Sequence, residues 1–193
     1  MPGRGVVNIA GTNKTYFFHG DKYAQVEWSA GFKRVDAVLP IRPHPHRAYF
    51  FCGDKYQRID YVPDPAQEEA LDPLRTIDDS WQALSLAGLK HVDAVPNVPG
   101  TTNETYLFCD NKYIRTSWYE GKKDEDILEG PKYISQGWGI TGFARFDMVL
   151  PHLTKPDHVY IFSEQKYVQV KVCPGGEHQL ISDQRPIGKD WWP

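Results

Sequence analysis

One pattern occurs four times along the 193 residues and constrains the fold more than any other feature. It begins at Tyr16 (YFFHGDKYAQVEW), Tyr49 (YFFCGDKYQRIDY), Tyr106 (YLFCDNKYIRTSW) and Tyr160 (YIFSEQKYVQVKV). Each copy has Tyr, an aromatic residue two positions on, Lys six on, Tyr seven on and a large apolar residue twelve on: Trp28, Tyr61, Trp118 or Val172. Such self-similarity marks a repeat architecture, in which each unit buries its apolar faces only against its neighbours. Successive copies are separated by 33, 57 and 54 residues.

Two further elements recur with it. Thirteen residues before the last three copies stand Asp36, Asp93 and Asp147, within Val35-Asp36-Ala37-Val38, Val92-Asp93-Ala94-Val95 and Phe146-Asp147-Met148-Val149. The looser counterpart in the first copy is Val7-Asn8-Ile9-Ala10. After the last three copies comes Ile77-x-x-x-Trp81, Ile134-x-x-x-Trp138 or Ile187-x-x-x-Trp191, each long enough for one helical turn. The Tyr-Phe-Phe element is apolar on consecutive positions, as in a strand covered on both faces, whereas Lys55 to Tyr61 alternates. Between them sit Gly-Asp or Asp-Asn pairs, the chemistry of a tight hairpin turn. Each unit therefore reads as a small antiparallel sheet. Four such sheets cover one another when stacked around an axis, so the expected fold is all-β, a single four-bladed propeller over residues 1–193 with approximate blades 6–30, 31–87, 88–141 and 142–193.

Composition agrees and narrows the function. Apolar residues make up 40% of the chain, enough for a core. The net charge of −3 lacks the basic excess that nucleic-acid binding requires. No apolar run approaches the length of a membrane span. The N-terminal Met1 to Gly5 offers no signal-like apolar region, and three cysteines, Cys52, Cys109 and Cys173, suit a reducing compartment, so a cytoplasmic location is expected. Cys52 and Cys109 occupy equivalent turns of adjacent units, which predicts free thiols rather than a bridge.

The Val-Asp-Ala-Val, Tyr-Phe-Phe-x-Gly-Asp-Lys-Tyr and Ile-x-x-x-Trp elements resemble hemopexin-like repeats over nearly the whole chain. The ending Val172-Cys173-Pro174-Gly175-Gly176 to Asp190-Trp191-Trp192-Pro193 is most similar to the single-propeller seed albumins of legumes, the albumin-2 group. The resemblance implies an axial ion, Ca²⁺ or Na⁺, held by main-chain carbonyls at Asn8, Asp36, Asp93 and Asp147, and spermine or heme as candidate ligands. Two departures stand out. The first unit is short between Trp28 and Gly31, so its outer strand is expected to be missing, and no cysteine near the N-terminus can close the ring covalently.

Four candidate features could carry chemistry. The strand-start residues Asn8, Asp36, Asp93 and Asp147 would converge on the axis, where the alternative to ion binding is that each Asp ties its unit to the neighbouring one. His44 and His46 lie between the first two strands of blade two, and His152 and His158 in the same loop of blade four, where metal or heme ligation competes with ordinary surface histidines. Gly137-Trp138-Gly139-Ile140-Thr141-Gly142 spells a dinucleotide fingerprint without the strand and helix that the fingerprint needs. The charge run Lys122 to Asp126 reads as a solvated loop. No nucleophile, metalloprotease or P-loop signature is present, so the chain is not expected to be an enzyme.

The reading is a non-catalytic ligand-binding propeller. Three Asp side chains without matching Lys or Arg would favour a polyamine. The alternatives are a carbohydrate-binding lectin and a protein-interaction or inhibitory module. The exposed edge Tyr23 to Trp28, with Val26, invites a homodimer or coverage by the chain's own termini.

Overall fold

A computed structural model describes residues 4–8, 14–19, 22–27, 35–42, 44, 47–63, 66–152 and 154–187; within 4–27 and 61–69 it is described by its backbone pairing. The strands fall into four antiparallel sheets, one per repeat. Blade one holds β1 (Arg4–Asn8), β2 (Lys14–His19) and β3 (Lys22–Glu27), in that order. Blade two holds β4 (Ala37–Pro40), β5 (Arg47–Cys52) and β6 (Lys55–Pro63), with an outer strand in two pieces, β7 (Ala66–Ala70) and β8 (Arg75–Thr76), both paired with β6. The short helices α1 (Ile77–Ser80) and α2 (Gln82–Leu86) follow.

In blade three, β9 (Glu104–Cys109), β10 (Lys112–Ser117) and β11 (Asp126–Tyr133) form the sheet. Its inner strand is reduced to bridges at Ala94 and Asn97, and the helical turn α3 (Ile134–Gly137) comes after β11. Blade four comprises β12 (Met148–Pro151), β13 (His158–Ser163), β14 (Lys166–Lys171), β15 (Gln179–Leu180) and β16 (Arg185–Pro186), with the last two again sharing β14. Inner strand β1 lies beside β12, so the last blade meets the first without a disulfide. Cys52, Cys109 and Cys173 are all free thiols.

Consecutive apolar residues point to opposite faces, and both faces are covered. From β5, Tyr49 and Phe51 join a core that includes Leu107 and Cys109 of blade three, while Ala48 and Phe50 face the other way. From β9, Tyr106 and Phe108 pack toward blade four, against Val159, Ile161 and Val168. The core is thus a series of layers between blades rather than one central cluster.

The same hydrogen bonds recur in three blades. The amides of Asp36, Asp93 and Asp147 donate to the carbonyls of Phe51, Phe108 and Phe162 at 2.8, 2.8 and 2.9 Å. Their carboxylates accept the turn amides of Gly53, Asp110 and Glu164 at 2.7, 2.7 and 2.6 Å. Each of those turn residues has positive φ, between 51° and 55°, the geometry of a tight hairpin. The carbonyl on the other side of the turn, of Asp54, Asn111 or Gln165, accepts the amide of Ile77, Ile134 or Ile187, each at 2.8 Å. One helical turn then brings Trp81 and Trp138 back to the Ile carbonyl, as the Ile-x-x-x-Trp spacing predicts. Trp191 lies outside the described residues.

Blade one ends at β3 among the described residues, and the short segment from Trp28 to Gly31 falls outside them. The edge strand β3 runs close to β6 and β7 of blade two. Among the described residues its neighbour is therefore blade two.

Candidate functional site

The pairing register changes one member of the axial set. In blades two and four, the Asp precedes the residue that pairs with Phe51 or Phe162, as Ala37 and Met148 do. In blade one Gly5 pairs with Phe18, so Arg4 occupies the strand-start position. Asn8 pairs with Thr15 at the opposite end of β1, four residues or about 13 Å away. Asn8 is thus not the equivalent of Asp36, Asp93 and Asp147. Asn8 stands only eight residues before Tyr16, against thirteen for each Asp and its Tyr, which puts it late in the strand rather than at its start.

The three Asp side chains do not reach a neighbouring blade through these bonds; each caps the hairpin turn of its own sheet. Nor do they all stand without a basic side chain. Arg145 Nε lies 3.3 Å from Asp147 Oδ1, and His91 Nε2 lies 3.3 Å from Asp93 Oδ2. This corrects the expectation of a purely acidic mouth. The Asp amides, and the turn amides that their carboxylates accept, belong to their own blades.

Of the loop histidines, His152 and His158 come together in blade four, with ring centroids 6.0 Å apart. His44 Nε2 lies 3.4 Å from Glu120 Oε2, a residue of blade three. His46 lies outside the described residues. His152 Nδ1 accepts the amides of Thr154 and Lys155 at 3.2 and 3.3 Å, and its ring stacks on Tyr160 with centroids 5.4 Å apart. Burial, then the charges of Lys155 and His158, hold His152 below the usual imidazole range. His158 Nδ1 sits 2.8 Å from Asp157 Oδ1.

A more developed site lies between blades two and three. Tyr49, Tyr56 and Trp81 of blade two and Trp118 and Tyr119 of blade three line a cleft of about 70 Å³ with Arg58, Arg75, Asp72, Lys122, Lys123 and Glu125. Tyr49 meets Trp81 and Trp118 edge to face, with centroids 5.2 and 5.7 Å apart. The loop that closes the cleft is fixed at two points: Gly121 N donates to Tyr49 Oη at 2.9 Å, and Arg58 Nη1 donates to Glu120 Oε1 at 2.9 Å. Arg58 Nε lies 2.9 Å from Asp72 Oδ2, out of hydrogen-bond alignment. Trp81 and Trp118 are each 3% exposed, and their indole N–H groups have no acceptor among the described residues. Tyr119 is 54% exposed at the rim, with Lys122 Nζ 5.8 Å from its ring centroid.

The next interface builds the same frame and fills it. Tyr106, Tyr113 and Trp138 repeat Tyr49, Tyr56 and Trp81, but Val172 stands where Trp118 does. His178 takes the space, its ring 3.8 Å from Trp138 and 5.8 Å from Tyr106. A cleft is thus left at one interface and closed at the other.

No protein-family model matches the chain. No curated protein sequence matches it. Solved structures do. The hemopexin-fold protein CP4 from cow pea is 25% identical, covering 80% of this chain and 68% of that one, with a TM-score of 0.69. A plant lectin with two metal binding sites from Cicer arietinum is 19% identical over 95% of this chain and 92% of its own, and LS24, a seed albumin from Lathyrus sativus, is 21% identical over 95% and 91%, both with a TM-score of 0.71. The chain has the hemopexin-like fold of the legume seed albumins. Within this hemopexin-like ring, the Gly137 to Gly142 stretch is α3 followed by a 3-10 turn at Gly139–Thr141, which is no dinucleotide loop. Gly137 is there for packing: a Cβ would meet Tyr113 Oη.

Three residues of the ring carry more than their sequence context shows. Glu125 is part of the charge run expected to be solvated, yet it is 8% exposed, and its Oε2 accepts Gln82 N at 2.9 Å, the first amide of α2 in blade two. Burial pushes its carboxyl above the usual range. Glu120 ties blade three to Arg58, with Arg47 and His44 nearby at 3.6 and 3.4 Å. His178 seals the second interface. None belongs to the recurring motif, so the repeat offers no signal for them. The rest of the run, Lys122, Lys123, Asp124 and Asp126, is exposed as expected.

Proposed function

We propose that this chain is a non-catalytic, lectin-like member of the seed-albumin propellers that binds the acidic substituent of a glycan in the cleft between blades two and three. The cleft itself carries the reading. Arg58, Arg75, Lys122 and Lys123 outnumber Asp72 and Glu125 in its lining, and the exposed Tyr119 offers a ring face for a sugar to stack on. A volume near 70 Å³ suits a carboxylate or hydroxymethyl group with the sugar ring outside, and is far too small for heme. The Cicer lectin of the same fold supports this class of function.

A polyamine was the expectation from three unmatched carboxylates. The carboxylates each accept a turn amide of their own blade, and Arg145 stands against Asp147, so they are not the unmatched set that spermine would need. On a glycan array at low salt, binding should concentrate on uronic or sialic acids. It should weaken as salt rises and fall by about tenfold in Tyr119→Ala. Binding confined to neutral sugars, or spermine binding with no glycan bound, would replace this reading.

The axial ion completes it as a structural cation. Carbonyls of Arg4, Asp36, Asp93 and Asp147 are the donors we assign. Adding Ca²⁺ to chelator-treated protein should raise the melting temperature by mass action, and an unchanged value would leave no tight divalent site at the axis. A homodimer through β3 remains a proposal of the same order, weakened by the nearness of β6 and β7.

A further inference from the structure

Blade three departs from its siblings at three positions that come together in space. Two residues before the strand-start Asp, blades two and four have Arg34 and Arg145, whereas blade three has His91. At the end of the second strand stand Cys52, Cys109 and Ser163, and at the first turn residue Gly53, Asp110 and Glu164. In blade four the frame makes an Arg145–Asp147 ion pair. Only blade three combines imidazole, thiol and carboxylate.

Their separations from His91 are those of ligands sharing one metal ion. His91 Nε2 and Nδ1 lie 3.6 and 3.5 Å from Cys109 Sγ, and Nε2 lies 3.6 Å from Asp110 Oδ1 and 3.3 Å from Asp93 Oδ2. Zn²⁺ bonded to sulfur at about 2.3 Å and to nitrogen and oxygen at about 2.0–2.2 Å requires ligand separations of about 3.4–3.6 Å. The ligand atoms of His91, Cys109 and Asp110 all lie within 4.8 Å of one another. Cys109 is buried at 5% exposure while the Asp110 side chain is 77% exposed, so a thiol floor meets an open side where water can complete the coordination. The Asp93 oxygen nearest His91, Oδ2, also accepts the Asp110 amide at 2.7 Å, so Asp93 anchors the turn that carries Asp110 and supports the site from beside it.

We infer that His91, Cys109 and Asp110, with Asp93 as fourth ligand or support, form a site for a borderline divalent transition ion of the Zn²⁺ class. This site is distinct in chemistry from the axial carbonyls, because a thiol and an imidazole select against Ca²⁺ and Na⁺. On binding, the metal–sulfur bond forms as Cys109 releases its thiol proton to solvent, and His91 coordinates in its neutral form.

The test uses the full chain with Co²⁺ as a spectroscopic stand-in for Zn²⁺. About one equivalent should bind and give the intense near-ultraviolet absorption of a thiolate–cobalt bond together with the visible bands of four-coordinate cobalt, both abolished by added Zn²⁺. His91→Arg and Cys109→Ser install the residues that blade four carries at these positions, so each suits the local sheet, and each should weaken binding more than about 100-fold with an unchanged far-ultraviolet circular dichroism spectrum. Absence of thiolate absorption from the wild-type protein would overturn the proposal, whatever the variants do. So would its persistence in both variants, which would place the metal on Cys52 or Cys173.

Discussion

Replacing Trp138 by Ala should cost about 3–5 kcal/mol and lower the melting temperature by on the order of 10 °C. Trp138 is fully buried, with ring centroids 5.1 Å from Tyr106, 5.4 Å from Phe108, 5.9 Å from Phe146 and 3.8 Å from His178. It therefore joins blade three to blade four rather than supporting one sheet alone. In a ring, each blade has only its neighbours to cover it, so a cavity at one interface uncovers both faces there. The exposed Leu86 is the control: at 71% exposure, Leu86→Ala should change stability by no more than about 0.5 kcal/mol. Urea unfolding of the two variants against the parent chain measures the contrast. Equal midpoints would contradict the stacked-interface description.

Acidification should weaken the same interface. Burial against Trp138 and Tyr106, only partly opposed by the Glu129 charge, lowers the His178 pKa from 6.5 to about 4. Between those values the unfolded chain holds a proton that the folded chain does not, so stability present above about pH 6.5 is lost as the pH falls toward 4. The separation corresponds to about 3 kcal/mol at most, and partial exposure of the ring reduces the expected loss to about 2 kcal/mol. Protonation also threatens the bond in which His178 Nδ1 accepts Cys173 N at 3.1 Å. His178→Phe keeps a ring against Trp138 and cannot titrate. Its unfolding free energy should fall less between pH 7 and pH 4.5 than that of the parent by about 2 kcal/mol, while identical slopes would mean that His178 is solvated.

The fold was legible because the repeat encodes both strand faces and both turn contacts. Phe51, Phe108 and Phe162 accept the amides of the three strand-start Asp residues, and the Ile-x-x-x-Trp turns dock on the hairpin carbonyls, so residues of one type recur at each structural position. Blade one was misread at one point because motif alignment is not register. Val7-Asn8 looks like Val-Asp, but it stands eight rather than thirteen residues before its Tyr, and the pairing of Gly5 with Phe18 puts Arg4 at the strand start. The acidic mouth failed for a related reason: Arg145 and His91 precede the Asp motif and escape notice until the strands bring them back beside it.

The cleft was not legible at all. It depends on a difference between interfaces, Trp118 against Val172 and a loop Asp124 against His178, and comparing blades by their shared residues hides such differences. Glu125 was obscured by its charged neighbours, since a buried carboxylate that caps a helix in another blade leaves no mark on local hydropathy. Cys109 and His91 are eighteen positions apart, and nothing in that spacing resembles a metal motif.

The most direct test of the glycan reading follows the indole N–H signals of Trp81, Trp118 and Trp138 by two-dimensional proton–nitrogen magnetic resonance while an acidic monosaccharide such as glucuronic acid is added. Trp81 and Trp118 line the cleft, whereas Trp138, whose indole N–H likewise has no acceptor among the described residues, is covered by His178. The account predicts saturable shifts of the Trp81 and Trp118 signals with Trp138 unmoved, and smaller shifts with the neutral sugar glucose. Signals that stay fixed up to millimolar sugar, or shifts centred on Trp138, would contradict it.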